Sequence, residues 1–131
     1  MNGEVIEVIQ EVAAETQAGR LIFSEVIRRL LEVGVESYFI DFANGSETFY
    51  FENSGTYSET MTLPLSAIAE EFSKEDLVAA IRGAQSDTVR YPEFVRLATA
   101  AGVIGYWAFL TGKKVTYFGR KGEQHTEHFP Q

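Results

Sequence analysis

The stretch that decides the fold is FSEVIRRLLEVGVESYFIDF, residues 23–42, because its apolar spacing changes from that of a helix to that of a strand. Apolar side chains recur every three or four residues as far as Leu31, and every second residue from Tyr38 to Phe42. Gly34 lies between the two patterns and suits the left-handed position just beyond a helix C-terminus. The stretch therefore predicts a helix, a glycine stop and a strand.

The same succession recurs 68 residues later in YPEFVRLATAAGVIGYWAFL, residues 91–110. The two stretches align without a gap, and the offset continues outward on both sides. Identical pairs at this offset are Glu25/Glu93, Arg28/Arg96, Gly34/Gly102, Val35/Val103, Tyr38/Tyr106, Glu7/Glu75, Gln17/Gln85, Thr48/Thr116 and Glu59/Glu127. We therefore predict one domain over residues 1–131, built from two pseudo-repeated units at about 4–63 and 72–131.

Each unit is expected to contain two helices followed by a β-hairpin. The Asn-Gly pair at 44–45 is the strongest short-range hairpin signal, and as a two-residue loop it pairs Ala43 with Ser46 and sets Ile40 opposite Phe49. The second unit is expected to form the matching hairpin. These elements predict an α+β fold of two layers, with the helices packed on an antiparallel sheet.

Composition restricts the function classes. The chain has 131 residues, of which 45% are hydrophobic, and 19 acidic side chains against 11 basic ones give a net charge of −8. No run approaches the roughly 20 apolar residues of a membrane span, and the acidic N-terminus is unlike a signal peptide, so we expect a cytoplasmic protein with no membrane contact. The absence of cysteine excludes disulfides, thiolate metal sites and cysteine nucleophiles.

Charge is unevenly distributed along the chain. Residues 1–80 contain 15 acids and 4 bases, whereas residues 81–131 contain 4 acids and 7 bases. Either the acidic helices face the basic C-terminal elements within one fold, or the basic end contacts a polyanion. The last hairpin has the composition of a nucleic-acid stacking platform, with Tyr106, Trp107, Tyr117 and Phe118 beside Lys113, Lys114, Arg120 and Lys121. The acidic first hairpin is equally aromatic, so the rings are attributed mainly to the core and nucleic-acid binding is disfavoured.

No reactive set of side chains emerges. His125 and His128 lie three residues apart near the C-terminus, where strand geometry would point them to opposite faces and where we expect a frayed tail. The chain has no G-x-S-x-G elbow and no phosphate-binding glycine loop. We therefore predict no catalytic residues, no metal site and no cofactor, and the sequence weighs against an enzyme.

The repeated Glu/Arg pairs have two interpretations. At a spacing of three residues they are ordinary surface pairs on a helix. If the two units pack about a pseudo-twofold axis, their arginines and tyrosines instead line a shared cleft for an anionic or aromatic ligand. The candidate ligand-binding residues are Arg28, Arg96, Tyr38, Tyr106, Tyr117 and Arg120.

Three blocks of the sequence resemble a known family. They are FSEVIRRLLEVGVESYFIDF, AIRGAQSDTVRYPEFVRLATAAGVIGYW and YFGRKGEQHTEHFP, and the resemblance runs from about Gln17 to Pro130. The family is the bacterial and prophage one labelled "phage envelope protein", with the fold known as YdfO-like. The resemblance implies a two-layer α+β fold and no established activity.

Two functions remain open at this point. The first is a non-catalytic binding or protein-interaction module, with a protein partner or a second copy of the chain. The alternative is a small-molecule pocket between the two units, possessing at most weak enzymatic activity. A closed apolar cavity near Tyr38 and Tyr106 would favour the pocket, and a flat exposed apolar patch would favour the interaction module.

Overall fold

The computed structural model describes residues 3–130, which form four helices and six strands. In chain order these are α1 (Gly3–Gln17), α2 (Phe23–Glu32), β1 (Val35–Asp41), β2 (Ser46–Phe51), β3 (Thr56–Thr60), α3 (Lys74–Gln85), α4 (Tyr91–Ala100), β4 (Val103–Phe109), β5 (Lys114–Gly119) and β6 (Gln124–His128). Within these residues, no helix has both the length and the apolar content needed to cross a bilayer.

The strands form one antiparallel sheet in the order β3-β2-β1-β4-β5-β6. Alternate side chains of the central strands are buried beneath the helices, and the others lie half-buried on the opposite face. The core therefore lies between one helical layer and one face of the sheet. This architecture confirms the predicted α+β class.

Corresponding elements of the two halves have matching bounds. α4, β4, β5 and β6 each begin and end 68 residues after α2, β1, β2 and β3. The two halves meet where β1 pairs with β4, and there Phe39 lies opposite Trp107, its counterpart at that offset. This register is the one that a twofold relation between the halves requires.

The helix stops are as predicted. Gly34 and Gly102 follow α2 and α4 with φ angles of 87° and 89°. The Gly34 N–H donates to the Leu31 carbonyl, which satisfies part of the open helix end. A Cβ on Gly102 would in addition collide with the backbone of Glu71. Glycine is required at 102 both for its backbone angle and for the close approach of that segment.

The first hairpin departs from the predicted register by two residues. Asp41 pairs with Ser46, so the loop has four residues instead of two. The Asp41 carboxylate accepts hydrogen bonds from the N–H groups of Ala43 and Asn44, each at 2.9 Å. Positive φ occurs at Gly45 and not at Asn44, whereas a two-residue type I′ turn needs it at both. A shift of two preserves the face of every side chain but places Ile40 opposite Glu47, not Phe49.

The prediction of a frayed C-terminal tail is wrong, because residues 124–128 form the edge strand β6 on β5. The His125 side chain is 14% exposed. Two contacts hold the strand and the residue after it against the helices: Arg82 of α3 lies 3.0 Å from the Glu127 carboxylate, and Phe23 of α2 packs edge-on against Phe129.

Candidate functional site

A cavity of about 440 Å³ lies between the helical layer and the sheet. Its floor consists of inward side chains from four strands, which are Tyr38, Glu47, Phe49, Tyr106, Val115 and Tyr117. Side chains of all four helices and of the segment after β6 complete the wall. The volume falls in the range of about 300–1,000 Å³ that is typical of small-molecule sites.

The mouth of the cavity is marked by the exposed members of its lining. Phe23 at the start of α2 is 39% exposed, and Arg90 and His128 are also exposed. Arg90 is held in place at this rim, because it pairs with Asp87 at 2.7 Å and donates to the Gly19 carbonyl at 3.0 Å.

Four tyrosines supply most of the aromatic surface inside. Tyr38, Tyr106 and Tyr117 are at most 7% exposed, and the Tyr91 and Tyr106 hydroxyl oxygens lie 2.8 Å apart. The Tyr106 ring centroid is 6.3 Å from that of Tyr38 and 5.5 Å from that of Tyr117. Burial raises the pKa of all four phenols, so they are neutral and can donate hydrogen bonds at physiological pH.

Strand alternation explains how the tyrosines meet. Tyr38 and Tyr106 occupy equivalent positions on β1 and β4, which are neighbours at the centre of the sheet. Ile40 lies opposite Tyr106, so the two tyrosines are diagonal neighbours on the same face. The predicted juxtaposition of these two rings, with Tyr117 beside them, is present in the structure.

One carboxyl group, that of Glu47, lies on the floor of the cavity, and a second, that of Glu127, belongs to its wall. Glu47 on β2 is 7% exposed, and its Oε1 accepts a 2.6 Å hydrogen bond from Gln17 Nε2 of α1. Burial, reinforced by the Glu59 carboxylate on the neighbouring strand, raises the pKa of Glu47 to about 8. At neutral pH this group is therefore mostly protonated in the free protein.

Gln17 is itself fixed by the chain that follows β3. Its amide oxygen accepts hydrogen bonds from the Thr62 N–H, the Thr62 hydroxyl and the Leu63 N–H, at 2.6 to 2.9 Å. With the oxygen occupied in this way, the amide NH₂ must face Glu47. The buried carboxyl is thus held at a defined position on the cavity floor.

Sequence analysis missed Glu47, although a signal was present. In β2 the residues at 47, 49 and 51 share one face, and Phe49 and Phe51 are evidently core residues. A glutamate in phase with them is expected to be buried. Its counterpart at an offset of 68 is Val115, so the repeat comparison did not draw attention to it.

The three candidate arginines do not reach the cavity. Arg28 and Arg96 lie on the solvent side of α2 and α4, with side chains 63% and 61% exposed, and pair with Glu32 and Glu93. Each of these helices buries its apolar side against the sheet, and this orientation turns Arg28 and Arg96 outward. Arg120 is exposed beyond β5 and donates to a backbone carbonyl of the segment before α3.

The aromatic and basic residues of the last hairpin do not form a single platform. Tyr106 and Tyr117 point into the core, whereas Trp107 and Phe118 lie on the outer face of the sheet. Lys121 lies 3.3 Å from the Glu71 carboxylate. The sheet therefore divides the rings that a stacking surface would need to present together.

His125 and Glu127, two alternate residues of β6, face the helices. Burial raises the pKa of Glu127, but the hydrogen bond and charge of Arg82, together with those of His125, outweigh it and leave the pKa lowered. His125 Nε2 lies 3.5 Å from Glu127 Oε2. Within residues 3–130, no group of three or more histidine and carboxylate side chains is arranged to hold a metal ion.

Comparison with known proteins identifies the family. The sequence profile of the family described as "Protein of unknown function (DUF1398)" matches residues 5–127. Because this match covers nearly the whole chain, the chain belongs to that family. No curated protein matches the chain.

Proposed function

We propose that this member of the DUF1398 family binds a small molecule with an aromatic or apolar body in the cavity between its two halves. The observation that carries the proposal is a ligand-sized space of about 440 Å³ whose floor carries buried aromatic rings and the fixed carboxyl group of Glu47. An apolar wall with a few convergent polar groups is the usual composition of a small-molecule site.

The size of the cavity supports a binding role. Protein interiors are close-packed, and a domain has few voids larger than a water molecule. A cavity of this size between the helices and the sheet of a 131-residue chain forgoes packing contacts that larger side chains would supply. A ligand that fills it restores those contacts.

We further propose that the chain is one domain made of two pseudo-repeated units, with the cavity on their pseudo-twofold axis. The matching bounds of the elements and the pairing of Phe39 with Trp107 support this arrangement. The walls are similar on the two sides, with Tyr38 corresponding to Tyr106, but Glu47 corresponds to Val115. This difference would give a bound ligand one preferred orientation.

The test is a calorimetric titration with 3-tert-butylphenol, a neutral molecule with an apolar body and one hydroxyl. Ala13 lines the cavity and is buried, whereas its neighbour Ala14 is exposed on the same helix. We expect binding to the wild type and to Ala14→Leu, and at least about tenfold weaker binding to Ala13→Leu, since the added side chain occupies the ligand volume. Equal binding to the two variants would contradict the proposal.

The outer face of the sheet supports a second candidate, association of two copies of the chain. Half-buried rings run across its centre and stack on one another, with 5.5 Å between Tyr50 and Trp107 and 5.6 Å between Trp107 and Phe109. Among the described residues, the buried Trp107 indole N–H has no hydrogen-bond partner. Asp41 and Lys114 lie at opposite ends of this face, so a second copy turned end for end would set acid against base.

Sedimentation equilibrium tests the second candidate. Phe109 lies on this outer face, while Leu31 is an exposed apolar residue of α2, and the same lysine substitution serves at both. We expect a dimer for the wild type and for Leu31→Lys, and a monomer for Phe109→Lys. A monomeric wild type would refute it.

The "phage envelope protein" label, the YdfO-like fold and the cytoplasmic location stay as predictions. The first two rest on the sequence blocks that carry the resemblance, which lie in α2 to β1 and in α3 to β6.

A further inference from the structure

Building on the proposed function, we propose that the ligand of the cavity is an organic cation, whose positive charge lies against Glu47 and the tyrosine rings. The cavity would then take an aromatic or aliphatic amine, or a quaternary ammonium compound, with the charged group at the floor and the apolar body toward the helices.

The first argument is the pairing of the charged groups around the cavity. Glu127 is engaged by Arg82, and Arg90 by Asp87. Glu47 forms no ion pair within residues 3–130, and its hydrogen-bond partner Gln17 is neutral. A buried carboxylate is strongly disfavoured unless a cation compensates it. Within residues 3–130, no basic side chain of the protein takes the place of that cation beside Glu47.

The second argument is the nature of the walls. Tyr38 and Phe49 lie close together, with centroids 5.6 Å apart, and Tyr106 and Tyr117 belong to the same cavity lining as Glu47. The faces of aromatic rings attract cations, and rings arranged as a cage are a recurrent means of binding quaternary ammonium groups. An aromatic lining with the Glu47 carboxyl on its floor favours a cation over an anion.

The groups around Glu47 are acidic or neutral, and they favour a positively charged ligand. Glu59 on β3 is acidic, Tyr38 on β1 and Tyr91 on α4 are buried phenols, and Gln17 on α1 is neutral. None of these groups can supply a positive charge. Because a cation would stabilise the ionised carboxyl, its binding should release a proton at neutral pH.

The structure also argues against an anionic ligand, which sequence analysis left open. Arg28 and Arg96, which sequence analysis offered for an anion, are exposed on the outer sides of α2 and α4, away from the cavity, and Arg90 at its rim is paired with Asp87. An anion placed on the cavity floor would instead meet the Glu47 carboxyl.

The experiment compares three probes of nearly the same shape by calorimetry. They are 3-(trimethylammonio)phenol, which is cationic, 3-tert-butylphenol, which is neutral, and 3-hydroxybenzenesulfonate, which is anionic. At about pH 8, we expect the cation to bind at least about tenfold more tightly than the neutral probe, and the anion to bind most weakly.

Two variants locate the source of the preference. Glu47→Gln keeps the shape of the side chain and can still accept from Gln17, so we expect it to bind the neutral probe as before and to lose the preference for the cation. Glu59→Gln removes a nearby carboxyl on β3 that does not line the cavity, and it should retain that preference. Folding of each variant is checked by circular dichroism.

The outcomes separate the two proposals. If the neutral probe binds and the cation binds no better, the cation inference is overturned and the small-molecule site stands. If no probe binds the wild type, the proposed function itself fails. A cation preference that persists in Glu47→Gln would also overturn the inference, since Glu47 would then not be its source.

Discussion

Replacing Glu47 with glutamine should change how the stability of the protein depends on pH. In the folded protein the pKa of this carboxyl is raised from its ordinary value of 4.5 to about 8 by burial and by Glu59. Between these two values the folded state binds more protons than the unfolded state, so the contribution of Glu47 to the free energy of unfolding falls as pH rises. Glutamine does not titrate, and it resembles the protonated acid in shape.

The size of the effect follows from the shift. Each pKa unit corresponds to about 1.4 kcal/mol, so the stability of Glu47→Gln should rise relative to the wild type by about 5 kcal/mol from pH 4 to pH 9. The two proteins should differ by less than about 1.5 kcal/mol at the acidic end, where both side chains are neutral.

Urea denaturation at intervals of one pH unit, followed by circular dichroism, measures this difference. The control is Glu52→Gln, an exposed carboxyl just beyond the end of the same strand, which should follow the wild-type curve. Parallel curves for Glu47→Gln and the wild type would refute the reasoning, because they would show that the Glu47 carboxyl ionises without penalty.

Three further predictions concern the site and its supports. The affinity for 3-(trimethylammonio)phenol, measured by calorimetry, should fall about tenfold from pH 8 to pH 6, to that of the neutral probe, because Glu47 takes up a proton. Gly102→Ala should destabilise more than Gly34→Ala, by roughly 1–3 kcal/mol in urea denaturation, because its Cβ would meet the backbone of Glu71; equal losses would contradict this. Gln17→Leu should cost about 2 kcal/mol by leaving the part-buried N–H groups of Thr62 and Leu63 and the buried Glu47 carboxyl without their partner, whereas the counterpart Gln85→Leu, on an exposed position, should cost less than about 0.5 kcal/mol.

Elements that depend only on their own neighbouring residues are predictable from the sequence. Elements that depend on a competing hydrogen bond or on distant contacts are not. The helix, glycine stop and strand at 23–42 depend on neighbouring residues, and the structure has them as predicted. The turn at 42–45 depends on the Asp41 carboxylate capping two N–H groups, and this competes with the Asn-Gly signal. The strand β6 depends on pairing with β5 and on contacts to two helices. These contacts cannot be inferred from the sequence of the terminal residues alone.

The site was predictable in part for the same reason. The repeat at an offset of 68 predicted that Tyr38 and Tyr106 lie close together, and the structure has them so, because equivalent positions on neighbouring strands share a face. It suggested Arg28 and Arg96 on the same logic, but their helical phase turns them to solvent. Glu47 breaks the repeat, and only its phase along β2 indicates burial.

A crystal structure of the protein with 3-tert-butylphenol tests the central claim most directly, because this neutral probe depends on the cavity and not on its charge. The account predicts density for one molecule between the helices and the sheet, with its ring against Tyr38 and Tyr106. Density confined to the outer face of the sheet, or a cavity closed by the protein's own side chains, would contradict it.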